Sequence, residues 1–152
     1  ATGATGATGV GIIPIYGSLS TQQGVGLPPT PGTNVDFGVA GPSNGVTPNT
    51  TDDSITVNSS GVYTISFSTE VNATGPNGGF AGVVFRLSIN GIPDAARQIE
   101  FLTAIASINE ADTLSRTDQL TLSQGDVIRV FIVATNGTIS YANATLVITK
   151  IA

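Results

Sequence analysis

Residues 55–71 read Ile55-Thr56-Val57-Asn58-Ser59-Ser60-Gly61-Val62-Tyr63-Thr64-Ile65-Ser66-Phe67-Ser68-Thr69-Glu70-Val71. Tyr63, Ile65, Phe67, Thr69 and Val71 alternate with Thr64, Ser66, Ser68 and Glu70, which predicts a strand with one apolar and one polar face. Downstream, Val83, Phe85, Leu87 and Ile89 repeat the pattern against Arg86 and Ser88, and Asn90-Gly91 then signals a hairpin. Residues 95–108 carry Ile99, Leu102 and Ile105-Ala106 near helical spacing. They are read as mostly strand, because they pair back through that turn. Residues 114–122 read as another strand, closed by Gln124-Gly125. Residues 127–133 are apolar at nearly every position, which places them in a central strand or near a contact between subunits. Asn136-Gly137 is read as a second hairpin turn, leading into a final strand over 139–151. Upstream, Pro and Gly are too frequent for helix between residues 11 and 61, and short strands are expected at 12–19 and 35–39. Eight to ten strands at these spacings predict an all-β sandwich, with a jelly roll as the leading architecture.

Composition narrows the function. The chain has 152 residues, enough for one domain plus a stub. Hydrophobic residues make up 40% and charged residues only 10%, far below the usual quarter. A surface this poor in charge suggests that part of it is buried against copies of the same chain. Net charge is −5, and the basic residues Arg86, Arg97, Arg116, Arg129 and Lys150 are scattered. With no basic stripe, neither nucleic acid nor an anionic membrane surface is an expected partner. No segment approaches the ~20 apolar residues that span a bilayer. Cys, His, Met and Trp are absent. That excludes disulfides and thiol nucleophiles and removes the usual general base near neutral pH. It also leaves few oxidation-prone side chains, which suits a long-lived extracellular protein.

The first nine residues are three Ala-Thr-Gly triplets, with Gly3, Gly6 and Gly9 at a period of three. Only Gly fits at the axis of a collagen triple helix, so the triplets read as the end of a collagen tract in a trimeric protein. A low-complexity linker is the alternative. The chain begins inside the repeat and is read as a piece of something longer. Residues 1–11 form the stub, expected to be disordered because three triplets are too few to hold a triple helix. Residues 12–152 form the domain.

Ile55-x5-Gly61-x-Tyr63-x-Ile65-x-Phe67 resembles the signature of the globular head of complement component C1q, with Ile at two positions usually aromatic. Phe37 falls where the longer signature has its first aromatic residue. Leu120-x-Leu122-x-x-Gly125-Asp126-x-Ile128-x-Val130 is similar to a second segment of the same family. The proline-free triplets resemble the stalk of bacterial collagen-like glycoproteins, the BclA type of the spore exosporium. The resemblance implies a C1q/TNF-like jelly roll of two five-stranded sheets, a homotrimer, and chain termini that lie together at the stalk end. It places the protein outside the cell, on a spore or cell surface. It makes Thr2, Thr5 and Thr8 stalk positions open to O-glycosylation. It also assigns the first, third, sixth and last strands to an inner sheet around a threefold axis, where Tyr16, Tyr63, Leu120 and Leu146 become candidate trimer contacts. For a tyrosine the alternative is a core ring with a satisfied hydroxyl.

Catalysis is not expected, because the only acid–base groups are carboxylates. Asp112, Asp118 and Asp126 are read as local caps near turns. Asn49, Asp52 and Asp53 form the densest oxygen cluster and the one candidate for Ca²⁺, against a solvated loop as the plainer reading. No other cofactor is expected. Three functions remain. The first is a structural head that trimerises, nucleates a collagen triple helix and forms the tip of a surface filament. The second is an adhesin whose loops 24–48 and 72–79 bind a host protein or carbohydrate. The third is the trimeric tip of a phage tail fibre.

Overall fold

The computed structural model describes residues 1–3, 11–76, 78–104 and 109–152. These form ten strands: β1 (Tyr16–Ser20), β2 (Val39–Ala40), β3 (Val46–Asn49), β4 (Ser54–Val57), β5 (Gly61–Thr74), β6 (Phe80–Ile89), β7 (Ile92–Ala104), β8 (Asn109–Leu122), β9 (Val127–Asn136) and β10 (Thr138–Lys150). They assemble into two five-stranded antiparallel sheets, ordered β2-β1-β10-β5-β8 and β3-β4-β9-β6-β7. Among the described residues no helix is long and apolar enough to cross a membrane.

The alternation in β5 explains the packing. Tyr63, Ile65, Phe67 and Val71 face inward and are buried, while Thr64, Ser66, Ser68 and Glu70 face out. From β10, Tyr141, Leu146 and Ile148 join the same inner face. The opposing sheet contributes Ile55, Val83, Phe85, Ile128, Val130 and Ile132. Phe85 stands edge-on between Phe67, at a centroid distance of 5.5 Å, and Tyr141, at 6.0 Å. This geometry sets ring edges against ring faces and adds to the burial of the rings.

The two open sides of the sandwich close differently. On one, Arg116 of β8 reaches β7: its guanidinium donates to the carbonyls of Gln98 at 2.9 Å and Ala96 at 2.8 Å while gripping both oxygens of Asp118. Asp118 therefore lies mid-strand and serves a salt bridge rather than capping a turn. On the other side, the segment after β1 winds across the sandwich. Leu27 pairs with Tyr141, and the Val35 N–H donates to the Val130 carbonyl at 2.8 Å.

Several local expectations change. The first strand begins at Tyr16 rather than at residue 12, because Pro14 cannot donate to a ladder. Residues 35–37 are not a regular strand, yet Val35 and Phe37 are fully buried. Over 95–108 the extended reading is right through Ala104, where β7 ends, and the helix-like spacing is incidental. Ile105 and Ala106 lie outside the described residues. Asn90-Gly91 is a hairpin turn, with φ of 52° and 80°, both in the left-handed region that such tight turns need. Asn136-Gly137 is not a hairpin: β9 and β10 belong to different sheets, so this turn carries the chain across the sandwich. Gly137, at φ 67°, lies against the Phe80 carbonyl with no room for a side chain.

Phe85 tests the packing. Phe85→Ala empties the centre of the core and is expected to cost about 3–5 kcal/mol, read as a lower midpoint in urea unfolding. A loss below about 1 kcal/mol would show that the sheets do not meet through these rings.

Candidate functional site

The outer face of the β2-β1-β10-β5-β8 sheet is built from the positions that alternate with the core. They are Ser18 and Ser20 on β1, Thr64, Ser66 and Ser68 on β5, and Thr113, Ser115, Thr117, Gln119 and Thr121 on β8. Strand β10 adds Ala142, Thr145, Val147 and Thr149. Short hydroxyl side chains pair across strands: Ser66 with Thr117, and Ser68 with Thr145, both at 2.8 Å. Such pairs hold the polar atoms close to the sheet and keep the face flat. Val39, which pairs with Ser20 and is 45% exposed, Tyr16, 39% exposed, and Val147, 41% exposed, give this face its large apolar groups. One side chain on it is charged. Glu70 accepts a hydrogen bond from Asn143 Nδ2 at 2.8 Å and lies in an open trough with Thr113 and Ser140; Asp112 also borders the trough, but its register pairs it with inward-facing Val71.

Tyr16, Tyr63, Leu120 and Leu146 do lie on strands of this one sheet. Only Tyr16 is on its outer face. Tyr63 and Leu146 are fully buried within the single chain, and Leu120 is buried too. Their parity points them into the sandwich, so a second chain cannot reach them. The Tyr63 hydroxyl is satisfied by the Ser59 carbonyl at 2.7 Å, and that of Tyr141 accepts the Asp36 N–H at 3.1 Å. Both are core tyrosines. The signal for the outer face lay in β5 and β8, whose polar positions are Ser and Thr where a solvated sheet would carry Lys and Glu.

The signature residues are structural. Phe37, Ile55, Tyr63, Ile65 and Phe67 are all buried in the core. Gly61 sits against Lys150 and Ala152 with no space for a Cβ. Gly125, at φ 91°, makes the turn into β9, and Asp126 caps it by accepting the Ser123 N–H at 2.8 Å. The Ile15 carbonyl accepts the Lys150 N–H at 2.9 Å, which brings the two ends of the domain together. Thr2 is exposed, and Thr5 and Thr8 lie outside the described residues.

The acidic cluster is spoken for by protein donors. Asn49 Oδ1 accepts the N–H groups of Thr51 and Asp52. Asp52 accepts from the Ser54 hydroxyl at 2.8 Å and pairs with Arg129. Asp53, at φ 53°, accepts the Phe37 N–H at 2.7 Å. Among the described residues no three acidic side chains converge on a point that would hold a metal ion.

No family model and no curated protein matches the chain in sequence. Solved structures do match in shape. A TNF protein, Eiger, from S. frugiperda superposes with a TM-score of 0.59 at 15% identity, over 91% of this chain and 93% of that one. The globular domain of the zebrafish complement 1qA protein gives the same TM-score and identity, over 91% of this chain and 97% of that one. The domain has the C1q/TNF jelly-roll fold. In this domain the two signature segments do packing work, and the outer sheet face is the feature left without a structural task.

The carboxylates also set a pH response. The Ser54 hydroxyl and Arg129 hold Asp52 below the ordinary carboxylate range, and the Asn90 amide and Ser123 N–H do the same for Asp126. Their contribution is full above that range and is lost as pH falls through their lowered values. Asp53 works oppositely. Burial pushes its pKa up, so the charged form costs stability at neutral pH and the cost disappears on acidification. Asn tolerates the left-handed backbone and keeps an acceptor for the Phe37 N–H. Asp53→Asn should therefore be at least as stable as the parent at neutral pH, with a margin that shrinks as pH falls. Asp53→Ala strands a part-buried N–H and should lose about 1–3 kcal/mol. Thermal melts across acid pH check both; an Asn variant whose margin does not change with pH refutes the account.

Proposed function

We propose that this domain is a non-enzymatic trimerisation and display head, packing three copies through the outer face of the β2-β1-β10-β5-β8 sheet. The observation that carries the reading is the chemistry of that face. Five strands expose short hydroxyl, amide and apolar groups with Glu70 as the one charge. Charge depletion marks protein surfaces that are covered by protein. A flat surface of short side chains lets backbones approach closely and loses little side-chain entropy on burial.

The triplets with Gly3, Gly6 and Gly9 supply the partner task. Collagen chains must find a common register before they propagate, and bringing three ends together opposes that step entropically. A trimer whose chains enter beside β10 holds three stalk ends at one pole. On this reading the protein works outside the cell as the tip of a collagen-like filament, of the kind found on the exosporium of bacilli, with Thr2, Thr5 and Thr8 on the stalk.

A second reading, an adhesive head, is favoured by one observation. Phe80, 62% exposed, and Leu102, 64% exposed, lie at the pole opposite Tyr16 and Lys150. A display tip that binds a host protein or glycan would present that pole.

Sedimentation at micromolar concentration tests the main proposal. The expected species is a trimer, and Ser66→Arg, which puts a charge mid-face without touching the core, should yield a folded monomer. A stable monomer of the parent chain overturns the reading, and so does a trimer indifferent to Ser66→Arg. Glycan-array binding that requires Phe80 and Leu102 would establish the second role.

A further inference from the structure

The sequence holds the dipeptide Asn-Gly four times, at 44–45, 77–78, 90–91 and 136–137. Asn77 lies outside the described residues, so the comparison is among the other three. In this dipeptide the backbone nitrogen of the glycine can attack the side-chain amide carbon of the asparagine. The attacking nitrogen gives up its proton, a carbon–nitrogen bond forms, and the side-chain nitrogen leaves as ammonia. The resulting five-membered imide is opened by water at either carbonyl, giving aspartate or isoaspartate. No oxidant or enzyme is needed. The step requires an asparagine side chain free to turn onto the next peptide nitrogen. Glycine permits the approach because it has no Cβ and the widest backbone freedom.

The structure separates the three described copies of one motif. All three asparagines are exposed to solvent. Asn44 Nδ2 donates to the Pro14 carbonyl at 2.6 Å, and the Asn44 backbone pairs with Tyr16 in both directions. The Asn90 side chain is held at both ends: Nδ2 donates to Asp126 Oδ1 at 2.8 Å, and Oδ1 accepts the Val127 N–H at 2.9 Å. Its own N–H donates to the Val127 carbonyl at 2.9 Å. To reach Gly91 the side chain must break both of its bonds and strand their partners. Asn136 is the last residue of β9, and among the described residues its side chain makes no hydrogen bond.

We propose that Asn136 is a site of spontaneous deamidation, and that Asn90 is shielded from the same reaction by Asp126 and Val127. The product matters because of where Asn136 sits. Its side chain borders a groove with Val84, Phe101 and Leu102, next to the exposed apolar pole. A carboxylate arriving there adds a second negative charge to a groove that Glu100 already lines, beside its apolar groups. Isoaspartate also lengthens the main chain at the crossing between sheets, where Gly137 already abuts the Phe80 carbonyl and Ala81. The modification therefore ages this pole, while at the opposite one Asn44 is restrained by Pro14 and Tyr16.

The folded chain is incubated in mildly alkaline buffer at body temperature and mapped by peptide mass spectrometry with isoaspartate detection. Asn136 should convert roughly tenfold or more faster than Asn90, since two hydrogen bonds restrain the latter. In denaturant the two rates should converge, because each asparagine is then simply followed by glycine. Asp126→Ala should speed conversion at Asn90 severalfold without changing Asn136, and Asp126→Asn, which keeps an acceptor, should restore protection. If Asp126→Ala does not fold, the parent's folded-to-denatured rate ratio at each site decides alone. Equal rates at the two sites in the folded chain overturn the proposal, as does an Asn136 protected as strongly as Asn90 relative to denaturant.

Discussion

Strand β5 pairs along its whole length with β8 on one side and over most of its length with β10 on the other, and its side chains alternate faces at a strict period of two. That alternation cannot slip by one residue without turning Tyr63, Ile65 and Phe67 to solvent and Thr64, Ser66 and Ser68 into the core. The register of its sheet is held by this penalty. Because β10 carries β1, the constraint also sets where the chain enters the domain. Phe67 then meets Phe85 of the opposing sheet, so the same alternation positions the second layer.

The same parity governs which residues are available for assembly. A residue that packs a core well is, by that fact, unavailable to another chain. Tyr63, Leu120 and Leu146 show this, since each is large, apolar and on the expected sheet, yet is enclosed by its own chain. What remains outward is modest chemistry: hydroxyls, small side chains, one carboxylate and a tyrosine. A surface of this kind is well suited to close contact over a large area. Its near absence of charge agrees with the chain-wide figure of 10% charged residues.

Several of the charges join segments that no strand ladder pairs. Arg116 and Asp118 tie β8 to β7 across an open side. Asp53 and Arg129 brace the irregular stretch around Phe37 and the loop before β4, and Asp126 orders the turn beside the Asn90 hairpin. Each joins backbone groups that no strand ladder satisfies, which is the cost that an irregular segment must meet. The contrast between Asn90 and Asn136 follows from this economy of polar groups: one turn has an acidic neighbour to hold it and the other does not.

The sequence by itself determined the class of fold and most of its strands. The period-two patterns of β5, β6 and β9 and the Asn90-Gly91 turn are local signals, written in neighbouring residues. The spacing Ile55, Gly61, Tyr63, Ile65 and Phe67 was enough to point to a C1q/TNF-like head. Other features depended on partners far along the chain. Asn136-Gly137 reads as a hairpin locally, and only the sheet order shows that it crosses between layers. Phe37 is buried without a strand because Asp53 holds its N–H. Asp118 reads as a cap until Arg116 is seen to need it across from β7. Alternation says that a strand has two faces. Only the stacking of the second sheet decides which face is core, and therefore which residues are left to meet another molecule.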